Sequence, residues 1–112
     1  MRVLFVCGKN RRRSPTAEQM FSGLAAIEVA SAGIDADADE RVSGELLEWA
    51  DVIFVMERSH RQKLSRRFRT HIKNQKIVCL DIPDRYEYMD PKLTGMLRSK
   101  VLPHLSNAGK AK

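Results

Sequence analysis

A chain of 112 residues carrying a net charge of +6 makes one domain, long enough for a real core and too short for two. No apolar run approaches the roughly 20 residues of a membrane-spanning helix, and Val3–Val6 is too short for a signal peptide. Two cysteines, Cys7 and Cys79, are too few for a disulfide framework; they fit a reducing compartment, so a cytoplasmic location is expected.

Val3–Val6 is a continuous apolar run, as strands buried on both faces tend to be. Ser14-Pro15 then opens a helix, with Ser as N-cap and Pro at the first helical position, and Ala17, Met20, Phe21 and Leu24 recur at helical spacing. Ile27–Ser31 is a second strand. Gly44–Ala50 is a short helix containing Leu46, Leu47 and Trp49, with Trp49 expected in the core. Val52–Met56 is the third strand. Ser59–Ile72 is a helix with Leu64, Phe68 and Ile72 four apart, and Ile77–Leu80 is the fourth strand. Pro91 starts a last helix that ends at Leu105, with Pro103 distorting its final turn. Residues 1–105 form the domain, and 106–112 a polar, frayed tail. Alternation of strands and helices predicts a four-stranded parallel sheet with helices on both faces. Ligands collect beyond the C-terminal ends of such strands, where Cys7 and the segment Asp81–Asp90 both emerge.

Charge is unevenly spread. Residues 28–51 hold eight acidic side chains against one basic, whereas 52–112 hold fourteen basic against five acidic, which predicts a positive face for anionic partners. The densest chemistry lies in Cys7-Gly8-Lys9-Asn10-Arg11-Arg12-Arg13-Ser14-Pro15, between the first strand and the first helix. A thiol attacks only as a thiolate, and an Arg or a helix N-terminus beside it favours that form. The amides of residues 8–14 can wrap an anion, as nests and helix N-termini do. Arg13 can fork two phosphoryl oxygens. Ser14 is placed to donate to the sulfur, and Asn10 tolerates the left-handed backbone that a tight anion loop needs. The bland alternative, a buried thiol beside a solvated basic turn, does not account for Cys, five residues, Arg, Ser and Pro falling together at a strand-to-helix junction.

In these residues the chain resembles the low-molecular-weight protein tyrosine phosphatases. The resemblance rests on Val3-Leu4-Phe5-Val6-Cys7, Asn10, Arg13-Ser14-Pro15, Ala17-Glu18, Ser31-Ala32-Gly33, Asp51–Met56 and Ile82-Pro83-Asp84-Arg85-Tyr86, and it covers roughly residues 1–105. It implies a phosphocysteine mechanism with Cys7 as nucleophile, Arg13 and the loop residues Gly8, Lys9, Asn10, Arg11, Arg12 and Ser14 holding phosphate, and no metal or organic cofactor. A carboxylic acid must protonate the leaving oxygen. Asp81, Asp84, Glu87 and Asp90 are the candidates, Asp90-Pro91 also serving as a helix cap. The family's acid loop matches Asp84, with Asp81 as its rival, and Tyr86 is the implied aromatic wall, with Tyr88 a second candidate.

The chain departs from the family pattern at several places. Lys9 takes a position usually held by Gly and must accept its backbone angles. Arg12 stands where many members have a second Cys, and Arg85 where Pro is usual. The stretch Gly33–Asp51 is short and lacks the usual pocket aromatic. Arg11 occupies a rim position that is small in relatives selective for phosphoarginine, so a guanidinium leaving group is disfavoured. The implied substrate is a phosphorylated protein or small aryl phosphate, with no membrane partner.

Two other activities compete. Arsenate reduction on this fold needs two further thiols, and only Cys79 is present, in a strand expected to be buried. A phosphate- or RNA-binding module without catalysis is suggested by Arg58–Lys73, with seven Lys/Arg and no acid. A solvated helix face is the simpler account, because no aromatic is interleaved for base stacking, so nucleic acid is disfavoured. His60, His71 and His104 lack metal-ligand spacing with the cysteines and are expected at the surface or as caps.

Overall fold

The computed structural model describes residues 1–110, with side chains through Leu105. In chain order the elements are β1 (Arg2–Cys7), α1 (Arg13–Phe21), β2 (Glu28–Gly33), α2 (Gly44–Trp49), β3 (Val52–Val55), α3 (Arg58–Arg67), a 3-10 turn (Arg69–His71), β4 (Lys76–Cys79) and α4 (Pro91–Lys110). All strand pairs are parallel, in the order β2-β1-β3-β4. The chain therefore leaves β1 to one side for β2 and returns to its other side for β3. That reversal opens a crevice beyond the carboxyl ends of β1 and β3, the place where open parallel sheets bind ligands.

Because strand side chains alternate, one sheet carries two cores. Val3, Phe5 and Cys7 of β1, with Val52, Phe54 and Met56, face Ala17 and Phe21 of α1 and Leu93, Leu97, Val101 and Leu105 of α4. Phe5 stacks between Phe21 and Phe54, with ring centroids 5.7 and 5.3 Å away. Leu4, Val6, Ile53 and Val55 face the opposite way, onto Leu47 of α2 and Leu64 of α3. The continuous apolar runs of β1 and β3 thus serve both layers, as the strand reading required. Among the described residues no helix is long and apolar enough to cross a membrane.

Several boundaries differ from the sequence reading. The first helix begins at Arg13 with Arg12 at its N-cap position, so Ser14 lies inside the first turn and caps nothing. Its hydroxyl is turned inward instead, onto Cys7. β2 runs on to Gly33 because β1 pairs with it as far as Cys7. The third helix ends at Arg67: Phe68 leaves helical geometry, and the Gln75 amide draws the next turn in by donating to the carbonyls of His71 and Leu47. β4 is the half-buried edge strand, so Cys79 is only partly covered rather than buried. Trp49 is half-buried against the second core, with Arg2 over its ring. The last helix starts as expected, Asp90 Oδ1 accepting from the Lys92 amide at 2.8 Å. It contains Pro103 and continues to Lys110, so the tail expected to fray from residue 106 is helical that far; Ala111 and Lys112 lie outside the described residues.

Candidate active site

Cys7 ends β1 at the crevice, 3 % exposed. The loop after it doubles back at Asn10, whose φ of 58° supplies the left-handed turn. Lys9 is not among the positive-φ residues, so the side chain standing in place of Gly costs no strain there. The turn aims the Asn10 amide N–H at Cys7 Sγ, 3.2 Å away, and the Ser14 hydroxyl lies 2.9 Å from the same sulfur.

Hydrogen-bond accounting fixes which way that hydroxyl points. The Asn10 side-chain amide donates to Ser14 Oγ at 2.8 Å and to Ser31 Oγ at 3.0 Å. Ser31 in turn donates to Glu18 Oε1 at 2.5 Å. With both Asn10 amide hydrogens spent on the two serine oxygens, the Ser14 hydrogen is left for the sulfur, its alternative being the Ala32 carbonyl at a weaker 3.5 Å. A chain that starts at a carboxylate thus ends by donating to sulfur. Ser31 and Glu18 belong to motifs seen in the sequence, but their part in this relay was not legible there, because it depends on β2 lying beside β1.

Arg13 is 4 % exposed and held from behind. Its Nη1 donates to Glu57 Oε2 at 2.5 Å and to the Ile82 carbonyl at 2.7 Å. On its other edge, Nε lies 3.7 Å from Asp84 Oδ1. Cys7, Lys9, Arg11, Arg12, Arg13 and Asp84 together line a cavity of about 220 Å³. Asp81 is elsewhere, near Cys79 Sγ and 3.9 Å from Arg58. Glu57 was missed in the sequence because it sits at the end of a different strand; the topology, not the spacing, brings it to Arg13.

The cations of the loop are not free. Lys9 Nζ donates to both oxygens of Asp37 at 2.7 Å, and Arg11 Nε meets Asp39 at 3.0 Å while its Nη2 donates to the Asp37 carbonyl. The Lys9 bond holds the Asp37 carboxyl below the usual carboxylate range. Backbone bonds lace the same acidic segment to the loop, the Asp35 amide donating to the Gly8 carbonyl and the Asp39 amide to that of Lys9. Gly33 permits this approach: a Cβ there would stand 2.6 Å from the Gly8 carbonyl oxygen and 2.5 Å from Ala38 Cβ. Arg12 reaches Glu87 at 3.8 Å.

The expectation of surface or capping roles fails for His60, which is 5 % exposed, with Nδ1 lacking any partner. Its Nε2 is 3.8 Å from where a Gly8 Cβ would be, so the ring lies beneath the loop that follows Cys7. Burial, and then the Arg13 charge, push its pKa down. His71 pairs with Glu48 and His104 edges the Phe54 ring. Tyr86 packs partly buried against the first core and is not among the cavity-lining residues, while Tyr88 is exposed. Among the described residues no group of three His, Cys, Asp or Glu is placed to hold a metal ion.

Residues 2–49 match the sequence profile of the low molecular weight phosphotyrosine protein phosphatases. The fold and the N-terminal segment are similar to those of that family. Solved structures agree along nearly the whole length. A low molecular weight protein tyrosine phosphatase from T. tengcongensis is 25 % identical, with 94 % of this chain and 99 % of that one covered and a TM-score of 0.74. The tyrosine phosphatase Wzb from Escherichia coli K30, solved in complex with phosphate, is 23 % identical over 99 % and 98 %, with a TM-score of 0.70. The YwlE arginine phosphatase from Geobacillus stearothermophilus is 21 % identical over 95 % and 93 %, with a TM-score of 0.74. No curated protein matches the sequence. The resemblance drawn from the sequence therefore holds.

Proposed function

We propose that the protein is a cysteine-dependent phosphomonoesterase of the cytoplasm that hydrolyses phosphotyrosine through a phosphocysteine intermediate. The observation that carries this reading is the convergence of two donors on Cys7 Sγ at the floor of a cavity also faced by Arg13 and Asp84. The thiolate attacks phosphorus and the ester P–O bond breaks. Asp84 gives its proton to the departing phenoxide oxygen, then takes one from the water that displaces the sulfur and releases inorganic phosphate. Arg13 has Nη1 committed to Glu57 and Ile82, which leaves Nε and Nη2 as the fork for two phosphoryl oxygens. Asp84 is favoured over Asp81 as the acid because it lines the cavity and Asp81 does not.

The reading is tested by hydrolysis of p-nitrophenyl phosphate with and without orthovanadate. Turnover blocked by vanadate and abolished in Cys7→Ser is the expected result; full activity in Cys7→Ser rejects the nucleophile. A phosphoarginine peptide is expected to be a poorer substrate than its phosphotyrosine counterpart, because the Arg11 side chain, held at the cavity by Asp39, offers a guanidinium no acceptor there.

A further inference from the structure

The outward face of α3 and the 3-10 turn after it hold a charge cluster that the phosphatase reading does not use. Arg61, Gln62, Ser65, Arg66 and Arg69 line an open furrow of about 590 Å³, and all five are exposed. Among the described residues, the side chains of Arg61, Arg66 and Arg69 have no ion pair or hydrogen bond. Their basic neighbours do: Arg58 lies near Asp81, Lys63 near Asp35, and Arg67 donates to the Ile34 carbonyl. The helix contains no acid of its own, so its like charges three and four residues apart repel, and Arg58 and Arg61 in the first turn oppose the macrodipole. Arg66 and Arg67 in the last turn suit the macrodipole, but the repulsion along the helix and the first-turn cations oppose that gain. The inner face of the same helix, His60 and Leu64 with Phe68 just beyond, already supplies the packing.

We propose that this face docks an acidic segment of the phosphoprotein substrate, a proposal that rests on the phosphatase reading. α3 begins at Arg58, directly after Glu57, whose carboxylate holds Arg13, so the strip leads away from the catalytic cavity. Its ten residues extend about 15 Å, which an extended peptide covers with about five residues. Guanidinium forks match carboxylates, and three unpaired arginines in one furrow make a cationic track for them. Nucleic acid fits less well, since no aromatic lines the furrow to stack a base. Membrane insertion is not served either: the exposed large apolar residues, Met1, Leu24, Tyr88, Met89 and Leu102, all lie off α3.

The test uses the full chain and the triple variant R61E/R66E/R69E, whose exposed positions leave the core untouched. Two phosphotyrosyl peptides are compared, one with a flanking Glu/Asp tract and one with Gln/Asn in its place. Wild type is expected to show about tenfold higher kcat/KM on the acidic peptide at low salt, through KM, with the preference fading at 0.5 M salt as for a few exposed ion pairs. The variant is expected to lose or invert that preference while hydrolysing p-nitrophenyl phosphate at the wild-type rate. Equal kcat/KM for the two peptides in wild type overturns the proposal. So does a duplex RNA that binds wild type, and not the variant, while a fluorescent unphosphorylated acidic peptide binds neither. If p-nitrophenyl phosphate is not hydrolysed at all, the phosphatase reading fails by itself. Anisotropy with the unphosphorylated peptide then still reports on the strip.

Discussion

Arg11, Arg12 and Arg13 after β1 and Arg61, Arg66 and Arg69 on α3 and the 3-10 turn after it are two arginine groups that line cavities, and they differ in what surrounds them. Every loop arginine meets a carboxylate: Asp39 for Arg11, Glu87 for Arg12, Glu57 for Arg13. Arg61, Arg66 and Arg69 meet none among the described residues. Linear charge counts make both stretches strongly basic, yet the acidic segment 35–40, distant in sequence, lies against the loop and offsets Lys9 and Arg11. Paired cations hold a shape. Unpaired cations on an exposed helix project a field.

The two groups are separated most sharply by replacing one member of each. Arg13→Lys is expected to lower kcat/KM for p-nitrophenyl phosphate on the order of a thousandfold, since an ammonium cannot keep Glu57 and the Ile82 carbonyl while forking phosphate. Arg66→Lys is expected to leave that rate within twofold. Comparable losses in both would erase the distinction. The acid gives the next largest effect. Asp84→Asn is expected to cost about a hundredfold to ten-thousandfold with a poor leaving group such as phenyl phosphate, and far less with p-nitrophenyl phosphate, whose phenoxide departs without a proton. Asp81→Asn, on the Arg58 side, is expected to stay within twofold; the reverse pattern would move the acid to Asp81.

Backbone approach sets the third effect. Gly33→Ala forces a methyl against the Gly8 carbonyl and Ala38, so it is expected to lower the urea-derived stability by about 1–3 kcal/mol. It also displaces the loop that Asp35 and Asp39 lace to it. Gly95→Ala on α4 meets nothing within 4 Å and is expected to gain about 0.5–1 kcal/mol through helix propensity. A neutral Gly33→Ala would show that the acidic segment can recede from the loop.

What the sequence made legible follows from how local each signal is. The apolar runs of β1 and β3 and the helical spacing of Leu93, Leu97 and Val101 report burial directly, and the sheet and its two layers follow from them. Cys7, Asn10, Arg13 and Ser14 could be read because one loop holds all four. Ser14 was legible as a partner of the sulfur and misread as a cap, because both uses suit a serine at a helix start and only the loop's return path decides between them. Glu57, Ser31, Glu18 and the acidic lace on Lys9 and Arg11 come from other strands and loops, so no spacing announces them. His60 was hidden for a related reason: in a segment crowded with Arg and Lys, one histidine looks like part of the solvated face.

His60 joins the two regions, and the smallest expected effect tests how. It belongs to the inner face of α3, yet Arg13, Glu57, Asp35 and Lys63 all act on it, and its Nε2 lies under Gly8. Burial and the Arg13 charge keep it neutral in the folded protein at a pH where a free histidine, with a pKa near 6.5, has begun to charge. As pH falls through that value the unfolded chain takes up a proton that the native state refuses, so the unfolded state binds more protons and stability declines. His60→Gln removes the proton uptake while keeping a polar side chain of similar reach. The stability of wild type relative to His60→Gln, from urea midpoints between pH 8 and pH 5, is therefore expected to fall as pH drops below about 6.5. Parallel curves would mean that the ring is free to charge, which the partnerless Nδ1 and the adjoining guanidinium argue against. The arginines outside α3's core face leave that difference unchanged, so the same measurement on R61E/R66E/R69E is expected to reproduce it.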